Sequence, residues 1–527
     1  MRLYPLLFIL LLNVLVVSCD SGLQGDLNEN LPPKTSLTLN EINLPEGERL
    51  VSQVNISWWG DDPDGFVAGY EFYIGDPAEA AEDDWSFTQN TDSTFILPIP
   101  EGSTDANVQF NVRAVDNDGA KDPEPPSLTF PIRNTEPTVS FAINETPPDT
   151  TFRIASFGFN PNDPDGDANL NRIEIALNDT SSEASWRELS LDVDFLTLRI
   201  DDTQAEPTAS VLLGRSAIES DIVFDNVNVN GENEFYVRAI DNAAAVSNVA
   251  IHNWYVKKQT SRILFLNDYY GTNTNDRRDL HLGLLEDVGI DQVDYIDISD
   301  GQSLGGTRVP FTSALPNRAL AEPTINMMLA EWDYIYWISD DLDRNIGYAL
   351  EITDQFFEEG GKMFINIPIE YLAERNSLFQ FLPFQGVQQA SYSEPGRNPQ
   401  FIINNCTEVS ATSEIDYTPN LRFDGSEFPA YSVVPFSESI NLFRADFSLF
   451  LRNPNAIEEY DGNELISTMN PDQSIVYFGI DIDEFTTEDN NSCETPESTD
   501  ENPQYYPPSD LSGLIEFLTI ETLGFEQ

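Results

Sequence analysis

Positive charge is scarce in this chain of 527 residues: 26 lysines and arginines face 90 aspartates and glutamates, for a net charge of −64 at pH 7. Five of the cations are lysines, at positions 34, 121, 257, 258 and 362. A surface of this sign repels phosphate backbones and anionic headgroups, so nucleic-acid binding is excluded. The acids are spread along the chain and not gathered in one tail, the pattern of a salt-adapted surface. Histidine is scarcer still, with only His252 and His281, and a histidine-rich metal centre is ruled out by count. Long apolar runs are also missing: nothing after residue 18 approaches the ~20 residues needed to span a bilayer.

Before that point the chain differs. Residues 3–17 form an apolar run headed by Arg2 and closed by Val16-Val17-Ser18-Cys19. The run is short for a membrane span and has the order of an export signal. It resembles a bacterial lipoprotein signal, 1–18, with its lipobox. The resemblance implies cleavage before Cys19, acylation of that residue, and a lipid anchor outside the cytosol, at the outer membrane or cell surface more than at the inner membrane. Residues 19–32 are polar and close on Pro32-Pro33, a composition suited to a flexible stalk.

What remains is too long for one hydrophobic core, and ordinary domain sizes predict three domains. Two segments share one plan. In the first, alternating apolar residues from Val51 to Trp59 lead to Asp61-Asp62-Pro63-Asp64-Gly65, then to Phe66–Ile74, and the module closes with Val112-Arg113-Ala114-Val115-Asp116-Asn117. In the second, Phe152–Phe159 leads to Asp163-Pro164-Asp165-Gly166, Ile173–Leu177 follows, and Val237-Arg238-Ala239-Ile240-Asp241-Asn242 closes. Period-two alternation around an Asp-Pro-Asp-Gly turn predicts antiparallel strands. The strand spacing, Trp58 and the two Val-Arg-Ala stretches resemble the fibronectin type III or related immunoglobulin-like sandwich. The resemblance covers residues 33–134 and 135–257, with extra strands or loops between 181 and 222. Such domains supply spacing and binding surfaces, and the fold names no ligand.

The Asp-rich turns have two readings. Asp61, Asp62 and Asp64, with Asp163, Asp165 and Asp167, are the oxygen-bearing groups that calcium takes, although three carboxylates in one turn fall short of its six to eight ligands. The other reading, which we favour, is a turn that selects Asp and Gly for local hydrogen bonding and positive φ.

After Lys257-Lys258 the pattern becomes strand, helix, strand, helix. Continuous apolar runs at 263–266, 293–298, 334–338, 363–367 and 474–480 predict buried parallel strands, and helices are predicted at 276–288, 322–331, about 349–357 and 511–523. The expected fold is multidomain: two β-sandwiches followed by a doubly wound α/β domain over 258–527. The order, and Gly360-Gly361-Lys362-Met363-Phe364-Ile365-Asn366, resemble the class I glutamine amidotransferase-like superfamily, including its ThuA-like members. The resemblance implies a cysteine on the turn after this strand, with a histidine and an acid further along. Here the turn reads Asn366-Ile367-Pro368-Ile369 and no histidine follows His281, so the thiolate and its base are both missing.

Ligands of open α/β sheets bind at the carboxyl ends of the strands, which makes Asp268, Asp340 and Asp341 candidate binding residues. His281 is expected at the surface or in packing. Cys406 and Cys493 lie in a long stretch expected to be irregular, and an oxidising compartment would pair them. Residues 486–509 read as a disordered loop. The function expected is a lipid-anchored, cell-envelope binding or scaffold protein whose sandwiches present an inert α/β domain to a glycan or an envelope protein, with no cofactor apart from the calcium reading. The rival is an extracytoplasmic carboxylate-dependent hydrolase acting on carbohydrate.

Like charges repel across this whole surface, and salt shortens their reach from about 30 Å at 0.01 M to about 3 Å at 1 M. The melting temperature is therefore predicted to rise with sodium chloride. A calorimetric series over that range checks it, and a flat or falling trend would refute the salt-adapted reading.

Overall fold

The computed structural model describes residues 29–39, 49–269, 274–298, 320–340, 342, 345–369, 378–392, 397–452, 455–499 and 502–527. Cys19, its signal sequence and Asp341 lie outside these residues. The N-terminal region consists of antiparallel and mixed sheets in sandwich form, and the C-terminal region is mixed α/β around one large sheet. The chain divides into two compact units.

The first unit spans 29–138 and also takes Asn162–Asn171 and Ala239–Ser247. A three-stranded sheet orders Lys34–Leu39, Gln53–Asp61 and Asp92–Ile96, and a five-stranded sheet centres on Asp105–Asp116 between Ser127–Arg133 and Val67–Ile74. Alternation along Gln53–Asp61 sends Val54, Ile56 and Trp58 inward to meet Phe110, Val112 and Phe130. Trp58 satisfies its indole N–H on the Asn90 carbonyl at 2.9 Å, as a buried donor must.

The second unit holds the other sandwich and the α/β region. Its sandwich has two five-stranded sheets, and the 181–222 segment supplies Arg187–Leu189, Phe195–Asp201, Thr208–Leu213 and Ile218–Phe224. The repeat extends to chemistry. Arg113 bridges Glu71 and Glu82 (both 2.7 Å) with its guanidinium 4.2 Å from the Trp85 ring centre. Arg238 bridges Glu174 and Glu183 (both 2.6 Å) at 4.1 Å from Trp186.

In the α/β region an eight-stranded sheet runs Asp294–Asp297, Ile263–Asp268, Tyr334–Ser339, Lys362–Asn366 and Ile475–Phe478 in parallel, then Leu465–Met469, Ile440–Ala445 and Val409–Ala411 antiparallel. Side-chain alternation sends Ile263, Phe265, Tyr336 and Phe364 to one core with Leu285, Leu514 and Leu518. Leu264, Leu266, Trp337 and Ile365 go to the other, with Ile325, Leu329 and Phe356. Helical segments thus cover both faces, which is why the strands read as unbroken apolar runs. The helix Thr274–Asp287 stops at Gly289, whose φ of +84° suits glycine. The predicted helices at 322–331 and 511–523 are each part π: Ala321–Ile325 precedes Asn326–Leu329, and Glu516–Leu523 follows Leu511–Ile515.

Two expectations are corrected. The stretch around Cys406 is not irregular: Gln400–Ile403, Glu427–Ala430, Phe447–Leu451 and Ala456–Glu459 form a separate antiparallel sheet, and other strands from it extend the main sheet. Nor are the described residues of 486–509 a disordered loop. The Cys406–Cys493 disulfide ties them down, Thr486 N–H donates to the Arg422 carbonyl at 2.9 Å, and Arg422 lies 4.0 Å from the Tyr506 ring centre. Cross-linking and stacking supply what the polar composition lacks.

Within the second unit the sandwich shares its core with the α/β region. Phe152 packs edge-on against Trp332 with ring centres 4.9 Å apart, and Phe152 and Ile154 belong to the same buried cluster as Ile325 and Leu329. Arg153 pairs with Asp202 at 2.6 Å and Glu331 at 3.1 Å, and the Ser156 and Thr324 hydroxyls lie 2.6 Å apart. Phe152→Ala is predicted to destabilise sandwich and α/β region together by about 3 kcal/mol, read as one shifted urea transition by tryptophan fluorescence. A variant in which the two parts unfold separately, or lose nothing, would contradict the shared core.

Candidate functional site

The carboxyl ends of the parallel strands gather polar side chains. Strand register sets Asp268 beside Ser339, Ile338 beside Asn366, and Asn366 beside Phe478. Asp268, Ser339 and Asn366 are all fully buried. The Asp268 carboxylate accepts the Asn345 main-chain N–H at 3.0 Å and its side-chain amide at 2.7 Å. Asp268 is thus a buried acid whose carboxylate closes the turn at Asn345. Asp340 is half-buried and engaged at the end of its strand. Asn366, at the turn where the resemblance implies a cysteine, spends its amide donors on the Phe478 and Ile480 carbonyls at 3.0 and 2.7 Å. It stitches the strand Lys362–Asn366 to the segment after Ile475–Phe478.

Beside it lies a cluster that sequence reasoning missed. Asp481, at 5% exposure, accepts the Tyr269 hydroxyl at 2.8 Å and the Arg277 guanidinium at 2.8 Å, and Arg277 also pairs with Asp483 at 2.8 Å. Burial raises the Asp481 carboxyl well above the usual aspartate range; the neighbouring Asp483 adds to this and Arg277 opposes it. The Tyr269 phenol is pushed far up by the same burial and then by Asp481. From the helix Thr274–Asp287, His281 is buried and its Nδ1 lies 2.9 Å from the Tyr336 hydroxyl. Its Nε2 has no hydrogen-bond partner among the described residues. Burial, then the Arg277 charge, lower its pKa to about 3. Of the two places expected for His281, surface or packing, the structure puts it in the core. The cluster can hold a proton on Asp481 and neutralise charge through Arg277, but an imidazole that stays neutral in a dry core makes no exposed general base. The signal for Asp481 is its place just past the carboxyl end of a parallel strand; its partners are distant in sequence.

The Asp-rich turns spend their carboxylates on main-chain and amide N–H groups. Asp64 accepts Leu31 N–H at 3.0 Å, and Asp116 accepts the Asn30 amide at 2.7 Å and the N–H groups of Asp118 and Ala120, both at 2.8 Å. The second copy repeats this: Asp165 accepts Thr135 N–H at 2.7 Å and Ser52 N–H at 3.1 Å, and Asp241 accepts the Asn134 amide at 2.5 Å. Asp163 accepts Asp165 N–H at 2.8 Å and the Asn169 amide at 3.1 Å. Asp62 accepts Asp64 N–H at 3.5 Å, and Asp61 and Asp167 are exposed. Among the described residues no three His, Cys, Asp or Glu side chains are grouped to hold a metal ion. No helix among them is long and apolar enough to cross a membrane.

No protein-family profile matches this chain, and no curated protein matches it in sequence. Among solved structures it has weak, partial similarity to β-sandwich domains. The fibronectin(III)-like modules of Clostridium thermocellum CbhA are 16% identical over 42% of this chain and 95% of that one, with a TM-score of 0.15. The PKD1 domain of Vibrio anguillarum Epp is 13% identical over 20% and 98%, TM-score 0.14. A two-domain fibronectin type III segment of chicken tenascin is 9% identical over 42% and 98%, TM-score 0.17.

His281 makes a testable contribution. The unfolded histidine takes a proton below about pH 6.5, whereas the folded one resists until about pH 3. The unfolded state therefore binds more protons in that window, and stability falls as the pH drops through it. Asp481 works oppositely, favouring the folded state on the acid side of its raised pKa. His281→Gln is predicted to remove about 3 kcal/mol of acid-induced loss between pH 6.5 and 4, measured as the difference between denaturant curves at those two pH values. A variant that keeps the parental pH slope would show that His281 is not the group responsible.

Proposed function

We propose that this chain is a lipid-anchored cell-envelope protein that binds or scaffolds, with Cys19 as the lipid-bearing residue and a glycan or another envelope protein as ligand. On this reading the sandwiches are fibronectin type III-like, and the α/β region is a glutamine amidotransferase-like (ThuA-like) domain that lacks the catalytic cysteine. The observation that carries it is Asn366: the residue at the nucleophile's turn has both amide donors committed to the Phe478 and Ile480 carbonyls. Pro368, two residues on, removes an N–H that an oxyanion site could use. A carboxylate-dependent carbohydrate hydrolase is the second reading, favoured by the raised pKa of Asp481 beside Tyr269 at the carboxyl end of the sheet.

The test uses the whole chain exported from a bacterial host. The parent should fractionate with membranes, and Cys19→Ser should move to the soluble fraction. The purified soluble protein should bind glycans or envelope proteins saturably while leaving ester, amide and glycoside substrates intact. Turnover that collapses in Asp481→Asn, or in Asp340→Ala or Asp341→Ala, would establish the hydrolase instead.

A further inference from the structure

A cleft of about 320 Å³ opens inside the second unit, between the sandwich sheet that contains Phe195–Asp201, Thr208–Leu213 and Ile218–Phe224 and the helical segments around Pro323, Met327 and Gln355. Its volume falls in the range of small-molecule sites, and junctions between packed layers are where such sites form. Its lining departs from the rest of the molecule. In a chain with more than three acids per base, Arg199 and Arg215 face this cleft and Glu219 is the one acid among its nine lining residues. Leu212, Pro323 and Met327 give it an apolar wall.

Both guanidiniums are held in place with donors to spare. Arg199 gives one N–H to Glu219 at 3.1 Å, and Arg215 gives one to Glu145 at 2.7 Å while stacking 4.7 Å from the Phe195 ring centre. Their side chains remain 46% and 49% exposed. A guanidinium carries five N–H donors in a planar fork, and the fork matches an oxyanion. Arg215 also sits on a tight turn between two strands, where Ala217 adopts φ +49°. A non-glycine residue in the left-handed region costs free energy, and here that conformation closes the turn that carries Arg215.

We propose that this cleft binds an oxyanion borne on a body with an apolar face, of which a uronate or sulfated sugar unit is the fitting class. The two forks take the oxyanion, and the Leu212, Pro323 and Met327 wall takes the carbon face of the ring. The inference rests on the binding reading above and names a site and a ligand class for it. The general −64 charge opposes any anion at long range, so attraction comes only from contact with these two arginines, and moderate salt that screens the background helps binding.

The experiment titrates the soluble Cys19→Ser chain, with methyl-labelled methionines, with galacturonate, galactose 6-sulfate and galactose at moderate salt. Met327 is one of five methionines, and its methyl resonance reports the cleft locally. The expected result is millimolar binding of galacturonate or galactose 6-sulfate that shifts Met327, with no shift from galactose. Arg199→Gln and Arg215→Gln should each weaken binding about tenfold or more, and Arg199→Lys should recover only part, because the charge stays and the fork is lost. Which of the two acids binds more tightly identifies a carboxylate or a sulfate source. Equal shifts from galactose, or full affinity in both glutamine variants at unchanged melting temperature, would overturn the site. Neutral glycans that bind the chain without moving Met327 would overturn this site alone and leave the wider binding reading standing.

Discussion

Arg113, Arg153, Arg238, Arg262 and Arg277 each bridge two carboxylates, so in a chain with few cations one guanidinium serves two acids at once. Exposed pairs of this kind contribute little individually. The effect here is one of placement, since each such arginine ties together elements distant in sequence: Arg262 joins Asp333 to Glu526, and Arg277 joins a helix to the turn after the strand Ile475–Phe478. Main-chain N–H groups hold other acids, as at Asp268, Asp294 and Asp165.

The shared core of the second unit changes what a sandwich means in this protein. A spacer domain keeps its apolar residues to itself, whereas Phe152 and Ile154 bury theirs among α/β side chains. The cleft at Arg199 and Arg215 follows from that packing, since neither layer forms its walls alone.

Much of this architecture was legible locally. Unbroken apolar runs mark strands covered on both faces, and 263–266 and 334–338 are such runs; alternation around Asp-Pro-Asp-Gly marks the sandwiches, and Gly289 marks a helix end. The antiparallel strands around 400–460 were not, because their short, mixed sequences take strand form only through partners: Gln400–Ile403 lies between Phe447–Leu451 and Glu427–Ala430. The site was legible only as a location. Counting acids at strand ends led to Asp268, which proves enclosed, and missed Asp481, whose character comes from Tyr269 and Arg277 some two hundred residues away. The turn that carries Arg215 is marked in the sequence by Gly214, but the left-handed Ala217 at its far end is not.

The paired aspartate clamps also impose a grammar on the segments that lead into each sandwich. Asp64 needs a main-chain donor at position 31, and Asp165 needs one at 135. Proline has no such donor, so it is barred from those two positions while remaining free to stiffen the chain immediately beyond them. The sequence obeys: Asn30-Leu31 is followed by Pro32-Pro33, and Asn134-Thr135 by Glu136-Pro137. An asparagine, a residue that can donate, and then a proline at close range form a short phrase by which further modules of this kind could be recognised in other chains, independent of what fills their cores.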